Sequence, residues 1–326
     1  MSNATPRIVD LCVPPPMATD AFVAPIREAL ARQLPGTGLR VCSGPAEFAE
    51  RLPAMRYLLA FRPPAGHWHR AGELLLLHSL GAGIDHLLPL DGLPARASVT
   101  SAKGYSADAM AEFALALVLM LLKRLPVAMA AQRRREWLGR IGPGVIDGAT
   151  LGILGCGRVG QALAPRAAAL GMRVLGTQRR PKPTAAVQRM LPMEQTPELL
   201  AQADAVVCLL PLTTRTRGLL DRDMLAHMKP GAAFVNLGRG GVADESALAD
   251  MLRAGRLCGA ALDVFDTEPL PADSPLWDVP NLVVTPHASW EFPGHMDAIV
   301  RTLVDNILLI EAGRPPSTPV DVAEGY

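Results

Sequence analysis

The stretch LGILGCGRVG, residues 151–160, decides the fold of this chain. It begins inside a short apolar run, residues 150–154, which is typical of a buried β-strand. It ends where a segment with helical periodicity begins, residues 161–170. A glycine-rich turn between a strand and a helix lets phosphate groups bind the free N–H groups at the helix N-terminus. The stretch therefore predicts a dinucleotide-binding unit rather than a glycine-rich turn without a ligand.

Three glycines of this stretch, Gly155, Gly157 and Gly160, follow the G-x-G-x-x-G pattern. In this pattern the first glycine permits the tight turn, and the second lets the backbone approach a pyrophosphate. The third allows the helix to pack closely on the strand. Arg158 and Val159, which lie between the second and third glycines, are predicted to belong to the same cofactor site.

The second predicted strand of this unit ends in Thr177, Gln178, Arg179 and Arg180. NAD-binding folds usually place an acidic residue there, about 20 residues beyond the glycine loop, to bind the ribose 2′-hydroxyl. Here Gln178 can form a hydrogen bond without repelling a phosphate, and Arg179 or Arg180 can bind a 2′-phosphate through a planar guanidinium. We therefore predict a preference for NADP(H) over NAD(H). The alternative is that both arginines only face solvent.

Short apolar strands alternate with amphipathic helices along most of the chain. This alternation predicts parallel sheets with helices on both faces. Because the alternation starts twice, the predicted fold is α/β with two doubly wound parallel-sheet domains. The predicted strands are residues 7–13, 39–43, 56–61 and 74–79, and then 150–154, 173–177, 205–210, 233–237, 259–263 and 282–285.

Two longer helical segments lie at the borders of the second domain. Residues 107 to about 135 are nearly all apolar in the first half and basic in the second. A helix that is apolar on every side needs partners all round, so the pattern predicts either a subunit or domain interface or the core of one domain. The last helix, residues 296–312, is predicted to end at Gly313.

Composition excludes several classes of function. A chain of 326 residues with 49% hydrophobic residues can bury a large core, and its net charge of +1 provides no basic field for nucleic acid. The longest apolar run, residues 113–122, is too short to cross a bilayer, and no export signal is visible at the N-terminus. The five cysteines are scattered, without C-x-x-C or Cys/His clusters, so we expect no disulfide framework, no metal site and a reducing cytoplasm.

Several stretches resemble the D-isomer-specific 2-hydroxyacid dehydrogenases. The resemblance implies a Rossmann nucleotide-binding domain, residues 102–289, inserted into a flavodoxin-like substrate domain, residues 1–101 and 290–326. It also implies a substrate cleft between the domains and a homodimer formed through the nucleotide domain. The stretches that carry it, besides residues 151–160, are LGAGIDHL (80–87), LLPLTTRTRGLL (209–220), MKPGAAFVNLGRGGVADESAL (228–248), ALDVFDTEPLP (261–271) and NLVVTPHAS (281–289).

Three residues of these stretches match the catalytic positions of the family. Arg239 matches the substrate arginine, whose guanidinium can hold a carboxylate and polarise the adjacent carbonyl group. His287 matches the acid/base histidine, since an imidazole can hold and release a proton near neutral pH. Glu268 matches the acid that hydrogen-bonds to this histidine and favours its imidazolium form.

Other positions carry weaker predictions from the resemblance. Gly81, Ala82 and Gly83 resemble the turn whose N–H groups receive the substrate carboxylate. The predicted cofactor site also includes Leu210, Pro211, Thr216, Leu237, Gly238, Asp263 and Ser289. The remaining histidines match no catalytic motif and are expected to be structural or on the surface; these are His67, His69, His78, His86, His227 and His295.

Departures from the family pattern narrow the predicted reaction. Glu268 argues against formate dehydrogenase, whose relatives carry Gln there, and Ala82 lacks the lysine of phosphite dehydrogenases. The predicted activity is the reduction of a small 2-oxo acid to a D-2-hydroxy acid, with glyoxylate or hydroxypyruvate favoured. Residues 290–293, WEFP, replace the expected small residues, so an aromatic or apolar substrate is a second possibility. A dehydrogenase for another substrate class and a dinucleotide-sensing regulator stay open as alternatives.

Overall fold

The computed structural model describes residues 7–42 and 44–322, and these form two compact units. The first unit holds the described residues through Tyr105 and from Phe292 onward, and the second is Ser106–Glu291. Each unit contains one parallel sheet with apolar clusters on both of its faces. The predicted α/β class with two parallel sheets is confirmed.

Twelve strands make up the two sheets in the described part of the chain. In chain order they are β1 (Arg7–Cys12), β2 (Thr37–Cys42), β3 (Tyr57–Ala60), β4 (Leu76–Ser79), β5 (Ser98–Ser101), β6 (Thr150–Leu154), β7 (Arg173–Gln178), β8 (Arg189–Pro192), β9 (Ala205–Cys208), β10 (Ala233–Asn236), β11 (Gly259–Leu262) and β12 (Leu282–Val284).

Nine α-helices are described, together with short 3-10 turns. They are α1 (Asp20–Gln33), α2 (Pro45–Arg51), α3 (Ala107–Leu122), α4 (Leu125–Arg133), α5 (Arg158–Ala169), α6 (Thr196–Gln202), α7 (Arg222–Leu225), α8 (Glu245–Arg253) and α9 (His295–Glu311).

The first unit is a five-stranded sheet with the order β2-β1-β3-β4-β5. One face packs against α1 and α9 through aliphatic side chains such as Ile26, Leu30 and Leu303. The other face packs against α2 and the loops that follow it, with Phe48 and Trp68 fully buried. Both faces are therefore apolar, as expected of a parallel sheet covered on both sides.

The second unit is a seven-stranded sheet with the order β12-β11-β10-β9-β6-β7-β8. The chain builds outward from β6 through β7 to β8 and then restarts on the other side of β6 with β9. Strand order therefore reverses between β6 and β9. In open α/β sheets a ligand binds beyond the carboxyl ends of the strands at such a reversal.

The long apolar segment after residue 107 forms two helices instead of one. The chain breaks at Arg124, which adopts a left-handed backbone conformation (φ 54°), and α4 leaves α3 at an angle of 69°. One face of α3 lies in the core of the second unit with Ala114, Val118 and Leu121 buried. No single helix in the described residues is long and apolar enough to span a membrane, and only the bent pair of α3 and α4 reaches the required length and composition.

The predicted strands lie within one or two residues of the observed ones, with two omissions. Residue 43, the predicted end of the second strand, lies outside the described residues. The sequence gives no signal for β5 and β8, because each has only four residues and β8 carries an arginine and a proline. Both are edge strands, which need less apolar surface than central strands.

Candidate active site

The residues predicted for the cofactor loop lie where the strand order of the second unit reverses. The loop leaves β6, and Gly155 adopts a positive φ of 80°. A Cβ atom at this position would lie 2.8 Å from Leu210 Cδ2, in the segment that follows β9. The N–H of Gly155 also donates to Thr177 Oγ1 (3.2 Å), at the end of β7. The loop is thus held between the carboxyl ends of three adjacent strands.

Gly157 and Gly160 have contrasting surroundings. Gly157 is the N-cap of α5, and a Cβ atom there would meet no other atom closer than 3.9 Å. Gly160 lies in the first turn of α5, where a Cβ atom would lie 3.0 Å from both Cys156 Sγ and Ile153 Cγ2. Open space at the helix N-terminus beside Gly157 is what a bound pyrophosphate requires, whereas Gly160 brings the helix onto the strand.

The end of β7 carries an ordered glutamine and two exposed arginines. The amide of Gln178 donates to the carbonyl oxygen of Cys156 (2.5 Å) and accepts from the N–H of Lys182 (3.1 Å). Gln178 therefore joins the glycine loop to the segment after β7. Arg179 and Arg180 are exposed beside it.

Arg239 follows β10 in a loop whose backbone is held by a buried asparagine. Asn236 donates to the carbonyl oxygen of Arg239 (3.2 Å) and accepts from the N–H of Gly238 (3.1 Å). Neither neighbouring glycine has room for a side chain. A Cβ atom on Gly238 would lie 2.4 Å from the Leu210 carbonyl oxygen, and one on Gly240 would lie 2.0 Å from that of Phe265. Arg239 is therefore presented from a closely packed loop.

Glu268 and His287 form a direct pair between the loops after β11 and β12. His287 Nδ1 lies 2.8 Å from Glu268 Oε2, while Glu268 Oε1 accepts from the N–H of Phe265 (2.9 Å). The side chains of His287 and Glu268 remain 35% and 29% exposed, so a ligand can reach the pair. Because Nδ1 faces the carboxylate, Nε2 is the ring nitrogen that can exchange a proton with a substrate.

The charge of Arg239 acts on the same pair. Burial alone would raise the pKa of the Glu268 carboxyl, but the hydrogen bonds from His287 and Phe265 and the charges of His287 and Arg239 together lower it from its usual value. The lowered pKa favours the ionised form of Glu268, beside the imidazole of His287 and within the field of Arg239. The structure brings together the three residues that were predicted to be catalytic, although their roles remain predictions.

Asp263 anchors the loop that carries His287. This fully buried residue accepts from the hydroxyl of Thr285 (2.6 Å) and the N–H of Ala288 (2.9 Å) through Oδ1, and from the N–H of Ser289 (3.0 Å) through Oδ2. His287 itself has a positive φ of 54°, which is costly for a residue with a side chain. Hydrogen bonds on both sides hold His287 in that conformation.

The remaining predicted cofactor residues follow the carboxyl ends of β9, β10 and β12. Thr216 donates to the carbonyl oxygen of Pro211 (2.5 Å) and its hydroxyl accepts from the N–H of Thr213 (2.8 Å), which closes the loop after β9. Leu210 and Leu237 are buried beneath this loop. Ser289 is buried too, and its backbone N–H is held by Asp263.

The turn of Gly81, Ala82 and Gly83 belongs to the first unit, directly after β4. Ala82 is exposed at its tip. The turn is held by a buried serine, Ser79, whose hydroxyl donates to the carbonyl oxygen of Gly83 (2.9 Å) and accepts from the N–H of Gly81 (3.1 Å). Its role in binding a carboxylate remains a prediction.

Sequence reasoning missed several residues that shape this site. Asp266 accepts from the N–H of Gly241 and its own N–H donates to Glu245 Oε1 (2.7 Å), so it joins the Arg239 loop to the Glu268 loop. Burial and the nearby charges of Asp266, Glu268 and Asp244 raise the pKa of Glu245. Asn236 had a usable signal, because an asparagine between a strand and a glycine often closes a turn. Asp266 and Glu245 had none.

Comparisons with known proteins agree with this geometry. Residues 115–289 match the family model described as "D-isomer specific 2-hydroxyacid dehydrogenase, NAD binding domain". The chain is 36% identical over 277 residues to glyoxylate/hydroxypyruvate reductase A of Serratia proteamaculans, covering 83% of this chain and 87% of that protein.

Two solved structures are also similar over nearly their whole length. A D-isomer specific 2-hydroxyacid dehydrogenase from Xanthobacter autotrophicus, in complex with NADPH and MES, has a TM-score of 0.84 and 36% identity, covering 97% of this chain and 99% of that one. An NADPH-dependent glyoxylate/hydroxypyruvate reductase from Sinorhizobium meliloti, in complex with NADP and sulfate, has a TM-score of 0.86 and 30% identity, covering 98% and 100%.

Proposed function

Because the chain belongs to the D-isomer-specific 2-hydroxyacid dehydrogenase family, we propose that it is an NAD(P)-dependent reductase that converts a small 2-oxo acid into a D-2-hydroxy acid. The observation that carries this proposal is the arrangement of Arg239, Glu268 and His287 on adjacent loops beyond β10, β11 and β12. The pair of Glu268 and His287 argues against a purely sensing role, because binding a dinucleotide needs no proton donor.

The three side chains divide the work of the reaction. Arg239 holds the carboxylate of the 2-oxo acid and stabilises the negative charge that develops on the adjacent carbonyl oxygen. His287 gives the proton on Nε2 to that oxygen. Glu268 keeps the imidazole in the required orientation through its contact with Nδ1.

The protein fits a nicotinamide dinucleotide. The open space at Gly157 and the N-terminus of α5 suit the pyrophosphate, and the carboxyl ends of β6 and β9 border the place for the nucleotide. When bound, the reduced cofactor supplies the hydride that adds to the carbonyl carbon. We propose that the segment of residues 102–289 binds this cofactor and that residues 81–83 of the other segment, residues 1–101 and 290–326, bind the substrate carboxylate.

The cofactor is NADP or NAD, and we propose a preference for NADP(H). The exposed guanidinium groups of Arg179 and Arg180 at the end of β7, and the absence of an acidic residue there, support this preference. The amide of Gln178, which is held by Cys156 and Lys182, puts no negative charge in the way of a 2′-phosphate. Both similar structures named above contain NADPH or NADP.

Glyoxylate and hydroxypyruvate are the substrates we propose. The names of the similar proteins from Serratia and Sinorhizobium support them. We further propose that the enzyme is cytoplasmic, since all five cysteines are free and buried. A homodimer is proposed from the apolar side chains exposed on α4 and the segment after it, including Leu125, Met129, Trp137 and Val145.

The proposal is tested by following the oxidation of NADPH and NADH with a panel of 2-oxo acids. We expect turnover with glyoxylate or hydroxypyruvate, and a higher kcat/KM with NADPH than with NADH. In the double variant Arg179→Ala/Arg180→Ala, kcat/KM with NADPH should fall by about 10-fold or more while the value with NADH changes little.

The matched control is Arg173→Ala, which removes an arginine at the opposite end of the same strand. It should leave the ratio of the two kcat/KM values unchanged. Oxidation of neither cofactor with any 2-oxo acid would contradict the enzymatic function. If the double variant lost the same factor in kcat/KM with NADPH and with NADH, the proposed binding of a 2′-phosphate by the two arginines would be contradicted.

A further inference from the structure

The turn of residues 81–83 is fixed at both ends by the first unit. The N–H of Leu80 donates to the carbonyl oxygen of Ala60 (3.0 Å), and the N–H of Ala102 donates to the carbonyl oxygen of Gly81 (3.2 Å). Within the described residues, the N–H groups of Ala82 and Gly83 have no acceptor. Two adjacent N–H groups on a fixed turn form a concave site for an anion.

Ser79 is the centre of the hydrogen bonds that support this turn. The residue is fully buried at the end of β4. Ser79 donates its hydroxyl hydrogen to the carbonyl oxygen of Gly83 (2.9 Å), and the hydroxyl oxygen of Ser79 accepts from the N–H of Gly81 (3.1 Å). A hydroxyl group has one hydrogen and two acceptor positions. One acceptor position of Ser79 therefore remains for a further donor.

His86 occupies that position, with Nε2 lying 3.1 Å from Ser79 Oγ. Since the serine hydrogen is already directed at Gly83, Nε2 must carry the hydrogen of this bond, which fixes the tautomer of the histidine. The ring of His86 also packs on Phe61, with centroids 4.4 Å apart, and the guanidinium carbon of Arg62 lies 5.4 Å from the centroid of the Phe61 ring. These contacts hold the imidazole beside the turn.

We infer that His86 is a positioning residue for substrate binding. By donating from Nε2 to Ser79, His86 completes the support that keeps the N–H groups of Ala82 and Gly83 directed at the carboxylate of the 2-oxo acid. Preorganised donors bind an anion more tightly because no ordering is needed on binding. This inference rests on the proposed function, in which the turn receives the substrate carboxylate.

The chemistry of the bond gives a test that separates it from simple packing. A glutamine side chain places its N–H₂ group near the position of a histidine Nε2, whereas an asparagine reaches only to the position of Nδ1. With glyoxylate as substrate and saturating NADPH, His86→Asn and His86→Ala should raise KM about 5- to 10-fold, with kcat little changed. His86→Gln should restore KM to within about 2-fold of the wild-type value.

A second variant tests the route through Ser79. Ser79→Ala should raise KM at least as much as His86→Asn, and the double variant should resemble Ser79→Ala alone, because the two residues act as one unit. The matched control is His69→Asn, an exposed histidine of the same unit. This control should leave KM unchanged.

Calorimetric titration with oxalate, an unreactive dicarboxylate probe, measures the anion site without turnover. In the presence of NADP, its affinity should fall in His86→Asn and recover in His86→Gln. If the wild type turns over glyoxylate but all His86 variants share one KM and one oxalate affinity, the inference is wrong while the proposed function stands. If the wild type neither reduces a 2-oxo acid nor binds oxalate, both are wrong.

Discussion

At the scale of single residues, the site depends on one carboxylate that faces an imidazole and lies within the field of a guanidinium. Glu268 accepts hydrogen bonds from His287 and from the N–H of Phe265, and Arg239 adds a favourable charge. These interactions outweigh the cost of burial and lower the pKa of Glu268. Glu268 is therefore still ionised at a pH where an unperturbed glutamate would be half protonated.

Replacing Glu268 by glutamine tests its role as the partner of the histidine. Glu268→Gln keeps an acceptor for His287 Nδ1 but removes the negative charge that faces the imidazole during proton transfer, so kcat should fall by about 10-fold or more with a smaller change in KM. Steady-state kinetics with NADPH and glyoxylate measure both constants. Asp273→Asn, a substitution in the same long loop, serves as the control; an unchanged kcat in Glu268→Gln would contradict the role.

The same variant makes a prediction about stability against pH. A carboxyl whose pKa is lowered in the folded state stabilises the protein above its unfolded pKa, here about 4.5, and loses that contribution as the pH falls through the folded value. The free energy of unfolding of wild type minus that of Glu268→Gln should thus shrink as the pH falls below about 4.5. Urea unfolding across this range measures it, and a difference that grows on acidification would refute the assignment.

Sequence could indicate these side chains but not the contacts that orient them. Arg239, Glu268 and His287 stand in family motifs, and their residue types suit the chemistry. Asp263, in contrast, bonds to the N–H of Ala288, 25 positions further along the chain, and no local pattern encodes that pairing. His86 lies in the family stretch LGAGIDHL but matches no catalytic motif, and only the folded turn shows that its ring reaches Ser79.

At the scale of secondary-structure elements, the periodicity of apolar residues predicted most of both sheets. The central strands are buried on both faces and therefore appear as continuous apolar runs. β5 and β8 lack such runs, because an edge strand is stabilised by one neighbour and by what covers it. The break between α3 and α4 was missed as well, although Pro126 in the first turn of α4 is a sequence signal for it; only the left-handed conformation of Arg124 has no such signal.

Substitutions of two glycines in the segment formed by β6, its loop and α5 can separate effects on fold stability from effects on cofactor binding. Gly160→Ala forces a Cβ atom to within 3.0 Å of Cys156 Sγ and Ile153 Cγ2, so it should destabilise the fold by about 1–3 kcal/mol. Gly157→Ala meets open space and should cost less than about 1 kcal/mol. It should nevertheless weaken NADPH binding strongly, since the added methyl group occupies space that the pyrophosphate needs.

Thermal unfolding without cofactor and fluorescence titration with NADPH measure the two effects. Gly38→Ala, in β2 of the other unit, is the control, because a Cβ atom there also meets nothing within 4 Å. It should change neither measurement. If Gly157→Ala bound NADPH as tightly as the wild type, the cofactor site would not lie at this loop.

At the scale of the whole molecule, apolar side chains remain on the surface of the second unit after its core is complete. α3 buries one face within the unit, but the side chains of Trp137 and Val145 are 96% and 74% exposed. Leu125, Met129 and Leu138 are exposed in the same stretch of chain. Several large apolar side chains exposed within one stretch of 21 residues, 125–145, are typical of a surface that another protein covers.

A second copy of the chain is the partner we propose for this surface. In a twofold-symmetric dimer, each of these side chains is buried in both copies. A buried tryptophan contributes on the order of 5 kcal/mol per copy to the free energy of association. Trp137→Ser combined with Val145→Ser should therefore convert a dimer of twice 34.6 kDa into a monomer, as measured by sedimentation velocity. Trp277→Ser, which removes another exposed tryptophan of the same unit, should leave the mass unchanged. A monomeric wild type at micromolar concentration, or a dimeric double variant, would contradict the proposed interface.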